Sequence, residues 1–125
     1  MLTGFDHIVL VVEDVSRSVA FYSGLLDMEP VEYAPGKWSL HFGKNKISLQ
    51  QVGNVPPIAA GTVPGSGNFC ILSSTPIAEL VLRLKAKGIA IVAGPDERIG
   101  ATGPIQSVYF KDPDGNLVEI SNPIA

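Results

Sequence analysis

Asp6-His7-Ile8-Val9-Leu10 returns as Gly67-Asn68-Phe69-Cys70-Ile71, and Lys46-Ile47-Ser48-Leu49 returns as Leu117-Val118-Glu119-Ile120. All four stretches are short and largely apolar, as strands are, so one folding unit is written twice. The first pair is 61 positions apart and the second 71, which places ten additional residues inside the second copy, in an expected loop from Gly94 to Pro104. The alignment sets His7 opposite Asn68 and Ser48 opposite Glu119. Four strand positions related by an approximate two-fold are where chemistry is to be sought, and two of them carry strong metal-ligand side chains.

Working outward from the first strand, Phe5 to Val12 is apolar on both faces, as a central strand would be. Asp14 is placed to cap a helix whose apolar stripe runs through Val15, Val19, Tyr22 and Leu26 and which ends near Leu26-Asp27. Short strands follow at 29–33, 37–42 and 46–51, separated by Pro35-Gly36 and Gly43-Lys44-Asn45. The first module, about residues 5–51, therefore reads β-α-β-β-β. Val52 to Gly65, rich in Pro and Gly, reads as a connector. The second module, about 66–121, opens at Gly67. Thr75 then caps a helix carrying Ile77, Leu80, Val81 and Leu84, Gly88 stops it, and strands follow at 89–92, 105–111 and 116–121. Asp112-Pro113-Asp114-Gly115 has the residues of a type I turn and fixes the position of Glu119.

Side chains alternate along a strand, so Leu117, Glu119 and Ser121 share one face while Val118 and Ile120 share the face covered by a helix. The same alternation groups His7 with Val9 and Val11, Asn68 with Cys70, and Ser48 with Gln50. A carboxylate enclosed on such a face needs a partner, because an ionised group taken out of water alone is strongly disfavoured. His7 supplies one, directly or through a metal ion that both imidazole and carboxylate accept. Trp38 with Tyr33 and His41 would line an aromatic rim, and Arg98, in the Gly-rich stretch 94–104, would suit an anionic ligand.

With 125 residues, 46% of them hydrophobic, the chain suits one compact domain. Nine Lys and Arg against twelve Asp and Glu, with no basic stripe, argue against nucleic acid or an anionic membrane as partner. A single cysteine, Cys70, excludes an internal disulfide. No signal-like or membrane-spanning run is present, so a soluble cytoplasmic protein is expected. A mean hydropathy of +0.27 is high for a small soluble monomer and points to a subunit interface, hence a homodimer.

The strand Asp6-His7-Ile8, the helix Ser18-Val19-Ala20-Phe21-Tyr22-Ser23-Gly24-Leu25-Leu26-Asp27-Met28 and the hairpin Asp112-Pro113-Asp114-Gly115-Asn116-Leu117-Val118-Glu119-Ile120 together resemble the vicinal oxygen chelate superfamily, which includes glyoxalases, extradiol dioxygenases and bleomycin-resistance proteins. The resemblance covers nearly the whole chain. It implies an α+β fold of two βαβββ modules forming a curved mixed sheet around a cavity. Carried over, it also implies a divalent metal ion held by His7, Glu119 and Asn68, with Glu119 catalytic and Ser48 at the fourth position; strand alternation and residue type add Gln50, Cys70, Trp38 and Arg98 to Ser48 as expected substrate contacts. Asn68 and Ser48 depart from the family's usual His and Glu, which counts against an iron dioxygenase. Two functions are then expected: a metal-dependent lyase or isomerase acting on a small molecule with two neighbouring oxygens, or a metal-free protein that sequesters a small molecule.

Overall fold

A computed structural model describes residues 1–53, 59 and 61–125. These form two compact units, Met1–Ser66 and Gly67–Ala125. Of the connector expected over 52–65, residues 54–58 and 60 lie outside the described residues.

In the first unit β1 (His7–Val12) is followed by α1 (Val15–Leu26), β2 (Glu29–Ala34), β3 (Lys37–Phe42) and β4 (Asn45–Gln51). The strands form a four-stranded mixed sheet in the order β1-β4-β3-β2, with β1 and β4 parallel and the other pairs antiparallel. β1 is thus an edge strand of its sheet, not the expected central one. Its apolar pattern says nothing of how many strands it bonds to, and only its second half, Leu10 to Val12, is buried on both faces. Asp14 caps α1 as anticipated, its side chain accepting from the Arg17 N–H, and Asp27 closes the helix with φ 56°. The face of α1 that is buried runs through Ser18, Tyr22 and Leu25, rotated from the stripe expected at Val15, Val19 and Leu26, which are half-buried. Tyr22 and Leu25 join Leu10, Val12, Leu40, Ile47 and Leu49 in the core of this unit.

The second unit repeats the plan: β5 (Asn68–Leu72), α2 (Ile77–Ala86), β6 (Ile91–Gly100), β7 (Gly103–Lys111) and β8 (Leu117–Pro123), in the order β5-β8-β7-β6 with β5 and β8 parallel. Val108, Phe110, Val118 and Ile120 meet Ile77, Leu80 and Leu84 of α2 in its core. The segment from Gly94 to Pro104, expected as a loop, is instead most of a long hairpin in which β6 runs to Gly100 and pairs with β7 through two register shifts. Gly94 sits at one of these irregularities with φ 86°, and a Cβ there would lie 2.3 Å from the Ser107 carbonyl oxygen, so the close approach requires glycine.

Asp112 to Gly115 forms the anticipated turn, the Gly115 N–H donating to the Asp112 carbonyl at 3.0 Å. The Asp112 carboxylate accepts from the backbone N–H of Asp114 and Asn116 and from the Asn116 side chain, while Asn116 Oδ1 accepts from the Gly67 N–H at 2.7 Å. The turn therefore tethers the start of β5 as well as joining β7 to β8. Among the described residues no helix is long and apolar enough to cross a membrane.

Candidate functional site

The parallel pairs of the two units are in the same register. His7 faces Lys46 and Val9 faces Ser48 across β1 and β4; Asn68 faces Leu117 and Cys70 faces Glu119 across β5 and β8. Cross-strand partners share a face, so His7, Val9, Ser48 and Gln50 lie on the side of the first sheet opposite Leu10, Ile47 and Leu49. Asn68, Cys70, Glu119 and Ser121 lie on the equivalent side of the second.

On the first unit His7 Nδ1 lies 2.8 Å from the Asp6 carboxylate. An ionised carboxylate only accepts, so Nδ1 is the donor in this contact, which leaves Nε2 as the ring nitrogen not engaged by Asp6. The contact also holds Asp6 below the ordinary carboxylate range, its hydrogen bond to His7 being the main cause. Ser48 is buried and faces Ser39 across β3, whose hydroxyl bonds His41 Nε2 at 2.9 Å. Trp38 is elsewhere: it pairs with Leu49, placing it on the opposite face from Ser48 and outside the expected rim.

On the second unit Glu119 is the centre of a polar strip. Ser107 Oγ donates to Glu119 Oε2 at 2.6 Å and is 2.7 Å from Ser121 Oγ, which in turn lies 3.2 Å from Cys70 Sγ. Tyr109 pairs with Glu119 across β7 and β8; burial first, and then the hydrogen bond to Glu119, push its phenol above the usual range. Arg98 belongs to β6, not to a loop, and its guanidinium stands 5.5 Å from the centre of the Tyr109 ring while Nη2 reaches Asp96 at 3.4 Å. Desolvation raises the Cys70 thiol, with the Ser121 hydrogen bond opposing. Sequence reasoning missed Asp6, Ser107 and Tyr109. Alternation along β7 groups Ser107 with Tyr109, but only the register brings that face to Glu119.

Among the described residues no three or more His, Cys, Asp or Glu side chains gather as a metal shell. By residue type alone, a carboxylate such as Glu119, an amide oxygen such as that of Asn68 and an imidazole such as that of His7 are each donors that a divalent ion accepts.

The sequence profile of the Glyoxalase/Bleomycin resistance protein/Dioxygenase superfamily matches residues 4–120. The chain is 46% identical over 117 residues to virulence protein STM3117 of Salmonella typhimurium, covering 93% of this chain and 81% of that one. The crystal structure of STM3117 superposes with a TM-score of 0.94 at 42% identity over 99% of both chains. An integron cassette protein of V. cholerae, VCH_CASS1, superposes with a TM-score of 0.91 at 38% identity, over 99% of this chain and 98% of that one. Fosfomycin resistance protein FosX of Listeria monocytogenes is 27% identical over 124 residues, 96% of this chain and 90% of that one. A FosX crystal structure complexed with Mn(II) and 1S,2S-dihydroxypropylphosphonic acid shares the fold, with a TM-score of 0.69 at 22% identity over 97% and 90% of the two chains.

Proposed function

The chain belongs to the glyoxalase/bleomycin resistance protein/dioxygenase superfamily, and on that premise we propose that it is a small metal-dependent lyase or isomerase acting on a molecule with two neighbouring oxygens. His7 and Glu119 hold the divalent ion, with Asn68 adding a carbonyl oxygen. The observation that carries this reading is the Asp6–His7 contact, which engages Nδ1 and leaves Nε2 as the ring nitrogen not taken by Asp6, at the strand position that the repeat makes equivalent to Asn68.

A bound divalent ion supplies Lewis-acid stabilisation of negative charge developing on the substrate oxygens. The chain's residues do the rest. Asp6 holds His7 in one tautomer. Ser107 and Tyr109 orient the Glu119 carboxylate, which, when released from the ion, would take and return a proton during isomerisation or elimination. Ser48 and Gln50 beside His7, and Cys70 and Arg98 beside Glu119, are the substrate contacts of the two faces. We propose also that the protein is a homodimer, supported by Val9 and Leu72, which stand 39% and 59% exposed on β1 and β5.

Ser48 and Asn68, which stand where metal-using members of the family carry Glu and His, support a second reading, a metal-free protein that sequesters a small molecule. Incubation of Mn(II)-loaded protein with a panel of hemithioacetals, epoxides and α-hydroxyketones, followed by proton NMR, separates the two. The enzyme reading expects turnover that chelator abolishes and that Glu119→Gln reduces by roughly 10²- to 10⁴-fold. Saturable binding without turnover, indifferent to metal, establishes the sequestering protein instead.

A further inference from the structure

We infer that the first unit carries an oxyanion site beside His7, built by His41, Lys44 and Lys46, so that the ligand bears a carboxylate or phosphate-type group. The inference rests on the substrate site proposed above only in making this anion part of the substrate.

Register aligns the site. His7 on β1 faces Lys46 on β4, Lys46 faces His41 on β3, and His41 faces Glu29 on β2, so one transverse row crosses the sheet on a single face. At the start of this row is a concavity of about 390 Å³ lined by Asp6, His41, Gly43, Lys44, Asn45 and Lys46. Two ammonium groups and an imidazole thus meet one carboxylate. That carboxylate, Asp6, is already engaged by His7 at 2.8 Å. Among the described residues neither lysine has an ion-pair partner within 4 Å: Lys46 Nζ lies over the Tyr33 ring, 5.2 Å from its centre, its charge acting on Asp6 only as a minor contribution, and Lys44 occupies the two-residue turn between β3 and β4. Asn45 Nδ2 donates to the Phe5 carbonyl at 2.7 Å, which ties this hairpin to the segment entering β1 and holds the wall of the concavity in place.

The surplus of positive donors in one concavity selects an anion over a cation. Its confinement to one end of the sheet, in a chain of net charge −3, selects a small anion over a polyanion. An anion seated there is adjacent to His7, so the rest of the ligand is delivered to the substrate site.

The test is a titration of ¹⁵N-labelled protein, without added metal, against inorganic phosphate and separately against glycolate. Saturable amide shifts centred on residues 41–46 with either probe are expected, phosphate preference marking a phosphate-type substrate and glycolate preference a carboxylic acid. The double variant K44Q/K46Q should weaken binding by about tenfold or more, while Lys46→Arg and, in α2 of the other unit, Lys85→Gln leave it within about twofold. Absence of saturable shifts at 41–46, or equal binding by K44Q/K46Q, overturns the oxyanion site. Because no metal is added, that result is independent of whether His7 and Glu119 hold an ion.

Discussion

Asp6 decides which nitrogen His7 offers. Its carboxylate accepts from Nδ1, and the pair is maintained while Asp6 is ionised, from neutral pH down through the acid range until Asp6 itself protonates below its ordinary value of 3.8. Asp6→Asn should therefore weaken Mn(II) binding by about 10- to 100-fold, read from the free Mn(II) signal in electron paramagnetic resonance; unchanged affinity would remove Asp6 from the site. Cys70 offers a second reading at this scale, since it is the only thiol in the chain. With its ionisation pushed up by desolvation, carbamidomethylation should reach half its limiting rate at a pH above the ordinary thiol range, and a midpoint at or below that range would contradict the environment described. The placement of His7 on β1 and Glu119 on β8 is legible in the sequence because residue type and strand alternation suffice for it. Asp6, Ser107 and Tyr109 are not, because their roles depend on partners across strands. Trp38 shows the cost of that: a shift of one position in register exchanges the two faces of a strand, and its pairing with Leu49 puts it on the other side.

The repeat extends into the helix caps, where it is invisible to residue matching. Gln51 Oε1 accepts from the Val15 N–H at the start of α1, and Asn122 Oδ1 accepts from the Ile77 N–H at the start of α2. Gln51 and Asn122 are 71 positions apart, the same offset as Ser48 and Glu119. In both units, then, an amide at the end of the last strand caps the helix; Gln51 Nε2 donates to the Glu13 carbonyl, and Asn122 Nδ2 donates to the carbonyls of Ser73 and Thr75. Thr75, expected as the cap of α2, does not cap it; Pro76 occupies the N-cap position without a side-chain bond. Asn122→Ala leaves one donor and two acceptors without this partner and should cost about 1–2 kcal/mol, a fall of roughly 4–8 °C in melting temperature by calorimetry. A melting temperature within about 1 °C of wild type would show the cap to be dispensable. Helices and the strands of the first module were legible because their periodicity and Gly or Pro punctuation agree. From Gly94 to Pro104 the same punctuation misleads: Gly94, Pro95, Gly100 and Gly103 suggest a loop, whereas they accommodate the irregular pairing and turn of a long hairpin.

At the scale of the molecule, two units of one plan repeat the same strand order and parallel register, which is why the duplication is legible in the sequence. The proposed dimer should elute with a mass by light scattering of twice the 13.2 kDa chain, and a mass of one chain at micromolar concentration would contradict it. Function is carried by the residues placed on that plan, since this fold serves many chemistries. What distinguishes an enzyme from a binding protein here is whether His7 and Glu119 take an ion together. Elemental analysis of protein purified without chelator and reconstituted with Mn(II), set beside folded His7→Ala and Glu119→Ala variants, measures this directly. About one divalent ion per chain in the wild type, lost in each variant, is the predicted result. No stoichiometric metal in the reconstituted wild type, or full retention by either variant, would contradict it.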